Sequence, residues 1–242
     1  MCGRYFQQRP PAEIAAYFEA VNPTPNLAPN WNRAPTQDGL VLRRHPDTGA
    51  RHLDALRWGL VPRWAKDLAV GSRMINARAE SVAEKPAFRE AFAKRRCIVA
   101  ADGFYEWRTE GKTKQPFAVA MADGAPMALA GLWEGWRGPD GEALRTFTIV
   151  TGEANAKLSA MHQRMPVILP REAWPAWLGE EPADAAELHD LLRPCPPEWL
   201  AAWPVSTRVN KVAENGPGLL DRDPLAQPPP PGLDDPPPAF GG

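Results

Sequence analysis

The hydrophobic pattern of the chain consists mainly of short β-type runs separated by turn residues. Alternating or continuous apolar runs bounded by turn signals predict strands. They lie at residues 40–44, 51–58, 97–101, 104–107, 116–121, 127–133, 144–151 and 203–206. Turn-like segments separate these runs, and HPDTG between the first two of them predicts a hairpin. The pattern indicates a domain rich in antiparallel strands.

Apolar residues spaced three or four positions apart predict helices at four places. These are residues 11–20, 86–95, 171–178 and 183–192. In the second of them Pro86 lies in the first turn, and Phe88 and Phe92 lie one turn apart on one face. Residues 22–35 are rich in proline and asparagine, which favours a loop. This order of elements, without a long βαβ alternation, predicts an α+β fold.

The composition favours one folded domain followed by a tail. The chain has 242 residues, of which 44% are hydrophobic and 24% charged, and this suits a single domain with an adequate core. Residues 221–242 contain eight prolines and few apolar anchors, so we expect them to be disordered or extended. The folded domain is therefore predicted at residues 2–220.

The number and spacing of the cysteines, together with the search for targeting and membrane segments, indicate the cellular compartment in which the protein is expected. Cys2, Cys97 and Cys195 are spaced too widely for a zinc site, and their odd number does not suit a disulfide framework. No segment resembles a signal peptide, and no run approaches the roughly 18 apolar residues of a membrane span. We expect a soluble, monomeric protein of the reducing cytoplasm that needs no metal or other cofactor.

The charges are unevenly distributed along the chain. The formal net charge is −1, yet residues 43–114 hold 16 Lys and Arg against 9 Asp and Glu, a local balance of +7. Trp58, Trp64 and Trp107 lie within this basic stretch. Such a pattern is compatible with a groove that follows phosphates and stacks bases. It is equally compatible with a solvated basic face above tryptophans that belong to the core.

Cys2 follows Met1 directly, so removal of Met1 would leave an amine and a thiol on neighbouring carbons at the start of the chain. An α-amine has a reference pKa of about 7.7–8, against about 10.4 for lysine, and is partly unprotonated near neutral pH. Such a pair can trap an aldehyde, because the amine forms an imine on which the thiol closes a five-membered ring. The alternative is that residue 2 is small only because ordinary removal of the initiator methionine requires it.

Three further segments carry polar residues that suggest more than core packing. NARAE contains Asn76, GFYEW sets Glu106 between aromatic residues, and HQRMPVIL begins with His162. Burial among aromatic residues would suit Glu106 to general acid or base work. Taken singly, each has a structural alternative: Glu106 could be a surface strand residue, and His162 a hydrogen-bonded structural histidine.

Together, eight segments closely resemble the SRAP (SOS response-associated peptidase) family. In chain order they are MCGR at 1–4, NRAP at 32–35, WGLVPRW at 58–64, INARAE at 75–80, DGFYEW at 102–107, AGLW at 130–133, HQRMPVIL at 162–169 and PVSTRVN at 204–210. The resemblance covers nearly all of residues 2–217. It implies the SRAP fold, an α+β domain with a barrel-like antiparallel β core and peripheral helices.

The resemblance also implies a function. The protein would recognise abasic sites in single-stranded DNA and form a thiazolidine crosslink through Cys2, which would shield the lesion from strand cleavage. Asn76, Glu106 and His162 match the family's other catalytic residues. Glu106 would transfer the proton that opens the sugar, Asn76 would hold the amine or a sugar oxygen, and His162 would shuttle protons. A lyase activity would follow from the imine.

The same motifs supply candidates for DNA contacts. Three arginines match family positions that contact phosphates, namely Arg4, Arg78 and Arg164. Arginine can bind a phosphate through two hydrogen bonds at once. Thr151 matches a family position that lines the pocket. Trp64 and Trp107 are the candidates for stacking against bases beside the lesion.

Two other functions remain compatible with the sequence. Cys2, His162 and Glu106 could act as nucleophile, base and orienting residue of a cysteine peptidase that removes Met1 autocatalytically. The basic stretch could instead belong to a non-covalent reader of single-stranded or modified DNA. The substitution Cys2→Ser separates these functions, because it removes the sulfur and a stable crosslink while leaving DNA binding intact.

Overall fold

The structure is a computed structural model and describes residues 2–226 and 236–237. Within these residues the strands are β1 (Tyr5–Gln7), β2 (Asn30–Arg33), β3 (Asp38–Arg44), β4 (Arg51–Trp58), β5 (Asn76–Arg78), β6 (Arg96–Ala101), β7 (Gly103–Glu110), β8 (Thr113–Met121), β9 (Met127–Arg137), β10 (Ala143–Glu153), β11 (Arg164–Pro166) and β12 (Leu200–Pro204). The α-helices are α1 (Pro11–Phe18), α2 (Arg89–Lys94), α3 (Trp174–Leu178) and α4 (Ala185–Asp190). None of the helices in the described part of the chain is long and apolar enough to cross a membrane.

Five strands close into a barrel. β3 pairs with β4 and β6, β6 pairs with β9, and β9 pairs with β10, all antiparallel. β10 then pairs with β4 in parallel, with Thr146 opposite Arg57 and Phe147 opposite Trp58, and this pairing completes the ring. The predicted α+β fold with a barrel-like core is therefore confirmed. The parallel pairings of β10 with β4 and with β5 were not predicted.

The other strands form a five-stranded sheet with the order β12-β8-β7-β1-β2. All of its neighbours are antiparallel. β1 lies between β7 and β2, so the residues that precede β1 begin beside β7. This arrangement brings the start of the chain into the middle of the domain.

Side chains alternate between the two faces of a strand, and the barrel strands are buried on both faces. One set forms what we call the barrel cluster, which includes Val41, Trp58, Val99, Phe147 and Ile149. Intervening residues such as Leu40, Leu42 and Ile98 pack with residues of the four helices. Because a barrel of five strands has room inside only for side chains, the helices must lie outside it. Phe104 and Phe117 of the five-stranded sheet join the barrel cluster and so hold the sheet against the barrel.

β4 ends in a sharp turn at Gly59. Its φ is +120°, and a Cβ there would lie 2.6 Å from the carbonyl oxygen of Gly71. Both the backbone conformation and the close approach therefore require glycine. The Gly59 amide donates to the carbonyl oxygen of Phe147 at 2.8 Å, so the segment of residues 58–64 leaves the barrel alongside β10.

The predicted elements differ from the structure mainly at short segments. β1, β2, β5 and β11 were not predicted, and β2 lies inside the predicted loop of residues 22–35. Each has only three or four residues, too few for a recognisable alternation. The second helix begins at Arg89 rather than at residue 86. The last strand is Leu200–Pro204 rather than residues 203–206, because its first half is alanine-rich and lacks a β-type pattern.

Most of the predicted C-terminal tail cannot be compared with the structure. Of residues 221–242, residues 227–235 and 238–242 lie outside the described residues, so the tail stays a prediction. At its start Arg222 forms a bridge with Val205, and the amide of Asp223 donates to the carbonyl oxygen of Pro204 at 2.9 Å. The first residues after 220 are therefore attached to the end of β12.

Candidate active site

Cys2 lies at the junction between the five-stranded sheet and the barrel. The residues before β1 run beside β7, where the amide of Tyr105 donates to the carbonyl oxygen of Arg4 at 2.9 Å. The Cys2 side chain is completely buried and packs in the barrel cluster. The pairing of the two strands thus brings Cys2 to the part of β7 that carries Glu106.

The alternation along β7 turns Glu106 towards Cys2. Tyr105 and Trp107 pack on the outer face of the five-stranded sheet, whereas Phe104 packs in the barrel cluster. Glu106 shares the side of Phe104 and is 4% exposed. The amide of Trp107 donates to Glu106 Oε1 at 3.1 Å. A carboxylate is costly to bury unless hydrogen bonds compensate it, so this position requires a specific explanation.

Asn76 reaches Cys2 from the barrel side. β5 pairs in parallel with β10, with Asn76 opposite Ile149, and the Trp58 indole donates to the carbonyl oxygen of Ile75 at 2.9 Å. Asn76 Nδ2 donates to the carbonyl oxygen of Cys2 at 2.8 Å. Asn76 Oδ1 is buried and has no hydrogen-bond partner among the described residues. The site therefore holds an unused acceptor close to Cys2, which suits a donor such as an amine.

The surroundings of Cys2 keep its sulfur protonated. Burial raises the pKa of the Cys2 thiol to about 12, and the negative charge of Glu106 adds to this effect. A hydrogen bond from the backbone of Arg4 acts in the opposite direction but does not outweigh them. Nucleophilic cysteines of peptidases have lowered pKa values instead. Near neutral pH this sulfur therefore acts as S–H and can deliver a proton when it forms a bond.

His162 lies in the loop between β10 and β11. Its Nδ1 accepts a hydrogen bond from the amide of Arg164 at 2.9 Å, so a neutral ring carries its proton on Nε2. Leu158 and Met161 of the same loop pack in the barrel cluster with Cys2. His162 is thus half-buried in a loop whose neighbouring residues pack in the cluster that holds Cys2.

Arg4 is held firmly by the chain itself. Its Nη1 donates to Asn32 Oδ1 at 2.7 Å and to the carbonyl oxygen of Val209 at 2.9 Å, and burial lowers the pKa of its guanidinium. The buried Asn32 also donates to the carbonyl oxygens of Lys211 and Glu214, at 2.9 Å each. Asn32 is a positioning residue that sequence reasoning did not identify, although its NRAP motif had been noted. The phosphate contact of Arg4 stays a prediction.

Arg164 and Arg78 flank the other side of the site. Arg164 donates to both carboxylate oxygens of Glu80 at 3.0 Å and also to the carbonyl oxygen of Thr151. Burial raises the pKa of Glu80, but hydrogen bonds and the charges of Arg164 and Arg78 outweigh this and lower it. Arg78 is exposed, and no hydrogen bond or ion pair of its side chain is recorded within the described residues. Glu80 therefore occupies the guanidinium edge that a phosphate would need.

The substitution Glu80→Gln is expected to strengthen the binding of intact single-stranded DNA by up to about five-fold. It removes a negative charge and a bidentate acceptor that compete for Arg164, and exposed ion pairs of this kind contribute roughly 0.2–1 kcal/mol. Fluorescence anisotropy with a labelled oligonucleotide measures the change. Glu180→Gln is the matched control, because Glu180 forms a similar two-point contact with Arg51 elsewhere. Weaker binding by Glu80→Gln would instead show that Glu80 orients Arg164 for the phosphate.

The candidates for base stacking differ in accessibility. Trp64 is 64% exposed, so its ring is free to stack. Trp107 is half-buried, and its indole donates to Asn210 Oδ1 at 2.8 Å. For Trp58 the second interpretation of the basic stretch holds: it belongs to the core, where it is fully buried and stacks on Phe147 with ring centroids 6.3 Å apart. Its position two residues after the buried Leu56 places it on the inner face of β4.

Thr151 is close to the site but not on its surface. Its side chain is fully buried, and its hydroxyl donates to the carbonyl oxygen of Ala77 at 3.5 Å. Its carbonyl oxygen accepts a hydrogen bond from Arg164. The expected contact of Thr151 with DNA stays a prediction that this buried side chain does not support. Its visible role is to align β5, β10 and β11, on which Asn76 and Arg164 lie.

The structure thus brings Cys2, Asn76 and Glu106 together. The strand β10 and the strands that pair with it place Arg78, Thr151 and Arg164 beside these three residues. Trp64 lies apart from them, on a loop held by a hydrogen bond of 2.8 Å from the Trp136 indole to the carbonyl oxygen of Ala65. Sequence reasoning missed Asn32, Glu80 and Asn210, which hold predicted site residues in place. No group of three or more His, Cys, Asp or Glu in the described part of the chain could hold a metal ion.

Comparisons with known proteins identify the family of this chain. The family described as SOS response associated peptidase (SRAP) matches residues 1–212. The abasic site processing protein YoqW of Bacillus subtilis is 40% identical over 224 residues, covering 91% of this chain and 99% of YoqW. The abasic site processing protein YoaM of the same organism is 40% identical over 226 residues, covering 92% and 99%.

A solved structure supports the same assignment. A crystal structure of a protein from Bacteroides thetaiotaomicron superposes with a TM-score of 0.84 at 26% identity, covering 92% of this chain and 100% of that one. The match of the family over residues 1–212 and the identity of 40% to relatives covered almost completely are decisive. This chain therefore belongs to the SOS response associated peptidase (SRAP) family.

Proposed function

We propose that this protein binds abasic sites in single-stranded DNA and, after removal of Met1, joins them to Cys2 as a thiazolidine. Its membership of the SRAP family and its relatives named abasic site processing proteins support this function. The observation that carries the proposal is the hydrogen bond of 2.8 Å from Asn76 to the carbonyl of Cys2, beside the buried Glu106. An amide and a carboxylate thus converge on the residue that would supply both the amine and the thiol.

The first step is the opening of the sugar. An abasic deoxyribose exists mostly as a closed hemiacetal, which hides its aldehyde. Glu106 takes the proton from the anomeric hydroxyl and returns a proton to the ring oxygen, which breaks the ring bond and forms the aldehyde. Its burial and the hydrogen bond from the Trp107 amide fix the carboxylate in one orientation for this transfer.

The second step joins the amine to the aldehyde. The Cys2 nitrogen attacks the aldehyde carbon, and the resulting carbinolamine loses water to form an imine. Asn76 Oδ1, which has no partner among the described residues, accepts a hydrogen bond from the amine and aligns its lone pair. His162 supplies the proton with which the hydroxyl leaves as water, and then recovers one from the nitrogen.

The third step closes the ring. The Cys2 sulfur bonds to the imine carbon, the π electrons of the C=N bond move to the nitrogen, and the thiol proton ends on that nitrogen. Because the raised pKa of Cys2 keeps the thiol protonated, the step needs no external acid. An imine at this carbon also acidifies the adjacent C–H and permits β-elimination of the strand. Ring closure removes that intermediate, so the crosslink protects the DNA from cleavage.

DNA is held by side chains that do not depend on base sequence. Arg78 and Arg164 contact phosphates beside the lesion: the Arg78 side chain forms no hydrogen bond or ion pair within the described residues, and Arg164 exchanges Glu80 for a phosphate. Trp64 stacks on a base, which contributes roughly 1–3 kcal/mol. A peptidase acting through the Cys2 thiolate is disfavoured, because burial raises the pKa of the Cys2 thiol, whereas the nucleophilic cysteines of peptidases have lowered pKa values.

The test is a crosslinking assay with defined DNA. A uracil-containing single strand is treated with uracil glycosylase, incubated with the protein, and analysed on a denaturing gel and by intact mass. We expect a heat-stable adduct whose mass equals the protein without Met1 plus the oligonucleotide, less one water. Cys2→Ala and Cys2→Ser should abolish the stable adduct but keep DNA binding.

The matched control is Cys195→Ala, which removes another buried thiol and should leave the adduct unchanged. An adduct of unchanged yield in Cys2→Ala, an adduct mapped to a lysine, or full reactivity of protein that retains Met1 would each refute the proposed chemistry. Binding without any stable adduct in the wild type would indicate a non-covalent reader.

A further inference from the structure

A second basic surface lies on the barrel, away from Cys2. It is a cleft of about 610 Å³ between the end of β4, the hairpin of β9 and β10, and the loop after Gly59. Its charged lining consists of Arg57, Arg63, Arg137, Arg145 and Asp38. We call it the arginine cleft. Four guanidinium groups therefore share one concave surface with a single carboxylate.

These arginines have few partners within the described part of the chain. For Arg57, which is half-buried, and Arg145, which is exposed, no side-chain hydrogen bond or ion pair is recorded there. Arg137 donates only to the carbonyl oxygen of Gly141, at 3.2 Å. Arg63 contacts Glu90 at 3.1 Å, but both side chains are about half exposed, at 59% and 47%, and such pairs are weak. The cleft thus keeps most of its donors available for a ligand.

The charge balance of the cleft favours an anion. Like charges that converge within a Debye length of about 8 Å repel one another, and a concave wall strengthens their combined field. Asp38 lies opposite Arg57 in the pairing of β3 and β4 and offsets one of the four positive charges, so the lining keeps a balance of +3. Arginine binds phosphate through paired hydrogen bonds, which makes phosphate the chemical group that this lining fits best.

The shape favours a polymer over a small molecule. Sites for small ligands are mostly enclosed and apolar, whereas this cleft is open and its side chains are largely arginine. It is also connected to the active site by β10. Arg145 precedes Thr151, the partner of Arg164, by six residues, which corresponds to about 20 Å along a strand. A stacked single strand covers that distance with about six nucleotides.

We propose that the arginine cleft is a second phosphate site, which binds the backbone of the same single strand several nucleotides from the lesion. The inference rests on the proposed binding of single-stranded DNA but not on the crosslink. The cleft makes affinity depend on strand length: a strand long enough to reach from Arg164 to Arg145 binds more tightly than one confined to the lesion site. Trp64, which follows Arg63 in the chain and is exposed, lies next to this path.

The test compares two intact, lesion-free strands of about five and about 25 nucleotides by fluorescence anisotropy over a range of salt concentrations. For the double variant Arg57→Ala/Arg145→Ala we expect about ten-fold weaker binding of the long strand and less than two-fold change for the short one. The slope of log affinity against log salt for the long strand should fall by about 1.4, or about 0.7 for each lost phosphate contact. Arg171→Ala/Arg193→Ala removes the same charge at exposed positions outside the cleft and is the matched control.

Each possible result of this experiment either supports or overturns the inference that the arginine cleft binds the DNA backbone. An unchanged affinity for the long strand, or an equal loss for both strands, would overturn it. Saturable binding of inorganic tripolyphosphate to the cleft, without loss of long-strand affinity in the double variant, would identify a site for small polyphosphates and also overturn it. If the wild type binds neither strand, both this inference and the proposed function are refuted. The other outcomes concern only the arginine cleft and do not test the chemistry at Cys2.

Discussion

Replacing Glu106 with glutamine is expected to slow crosslink formation by about 10²–10⁴-fold, the range that general acid–base catalysis supplies. Glutamine keeps the shape and the Oε1 acceptor that receives the Trp107 amide, but it cannot take the proton of the anomeric hydroxyl. The binding of intact single-stranded DNA should change by less than two-fold. Single-turnover crosslinking with excess protein measures the rate, and anisotropy measures the binding.

The chain offers a matched control for this substitution. Glu134 is also 4% exposed, and it accepts a hydrogen bond from the amide of the following residue, Gly135, at 2.9 Å. Glu134→Gln weakens the contact with Arg95 and lowers the melting temperature, but it should leave the crosslinking rate near that of the wild type. A rate within two-fold of the wild type for Glu106→Gln would remove Glu106 from the mechanism.

A substrate that cannot cyclise separates ring opening from the later steps. An oligonucleotide with a linear aldehyde in place of the abasic sugar bypasses the opening. We therefore expect Glu106→Gln to recover most of its lost rate on this DNA. If the defect is equally large on the linear aldehyde, Glu106 acts on the imine or on the thiol instead.

The second large effect is expected for Asn76→Asp, which should reduce the crosslinking rate by about 10–100-fold. The change replaces the donor to the Cys2 carbonyl, now bonded at 2.8 Å, with an acceptor of the same shape. A buried acceptor left without its donor costs about 1–3 kcal/mol, and each 1.4 kcal/mol corresponds to a factor of ten. The new carboxylate would also bind the N-terminal amine as an ammonium, and this form cannot attack an aldehyde.

Two measurements distinguish this effect from a loss of folding. Asn22→Asp is the control, because Asn22 Nδ2 likewise donates to a backbone carbonyl, that of Leu53 on β4, at 2.9 Å. Asn76→Asp should also shift the crosslinking rate towards higher pH, since the ammonium it stabilises loses its proton later. A wild-type rate and pH profile in Asn76→Asp would show that Asn76 only supports the backbone.

The long strands and the nature of the fold could be predicted from the sequence because each barrel strand contains an alternating or continuous apolar pattern. The hairpin of β3 and β4 was predicted, whereas the pairing that closes the barrel was not, since it sets Trp58 opposite Phe147, far apart in the chain. The motifs identified Cys2, Asn76 and Glu106, but not the contacts between them. The expected phosphate contact of Arg4 stays a prediction, and its motif did not indicate that Asn32, 28 residues along the chain, accepts a hydrogen bond from its guanidinium.

The burial of Trp58 could have been predicted from the alternation of apolar and polar residues along its strand. Leu56 and Trp58 lie two positions apart on a strand and share a face, so the expected burial of Leu56 favours burial of Trp58. Trp58 was grouped with the basic stretch because the stretch was defined by counting charges. Such a count does not distinguish the residues on the inner face of a strand from those on its outer face. Thr151 is similar, since its place in the long apolar run of β10 already favours a buried side chain.

The anchoring of Arg4 to Asn32 and Val209 has a consequence for the newly made protein. The carbonyl of Val209 is supplied 205 residues after Arg4, and those of Lys211 and Glu214 later still. A ribosome therefore releases the start of the chain first and the carbonyl groups that hold it last. Until synthesis has passed residue 214, Asn32 and the guanidinium of Arg4 lack these partners, so the segment next to Cys2 reaches its final position only when nearly the whole domain has been made.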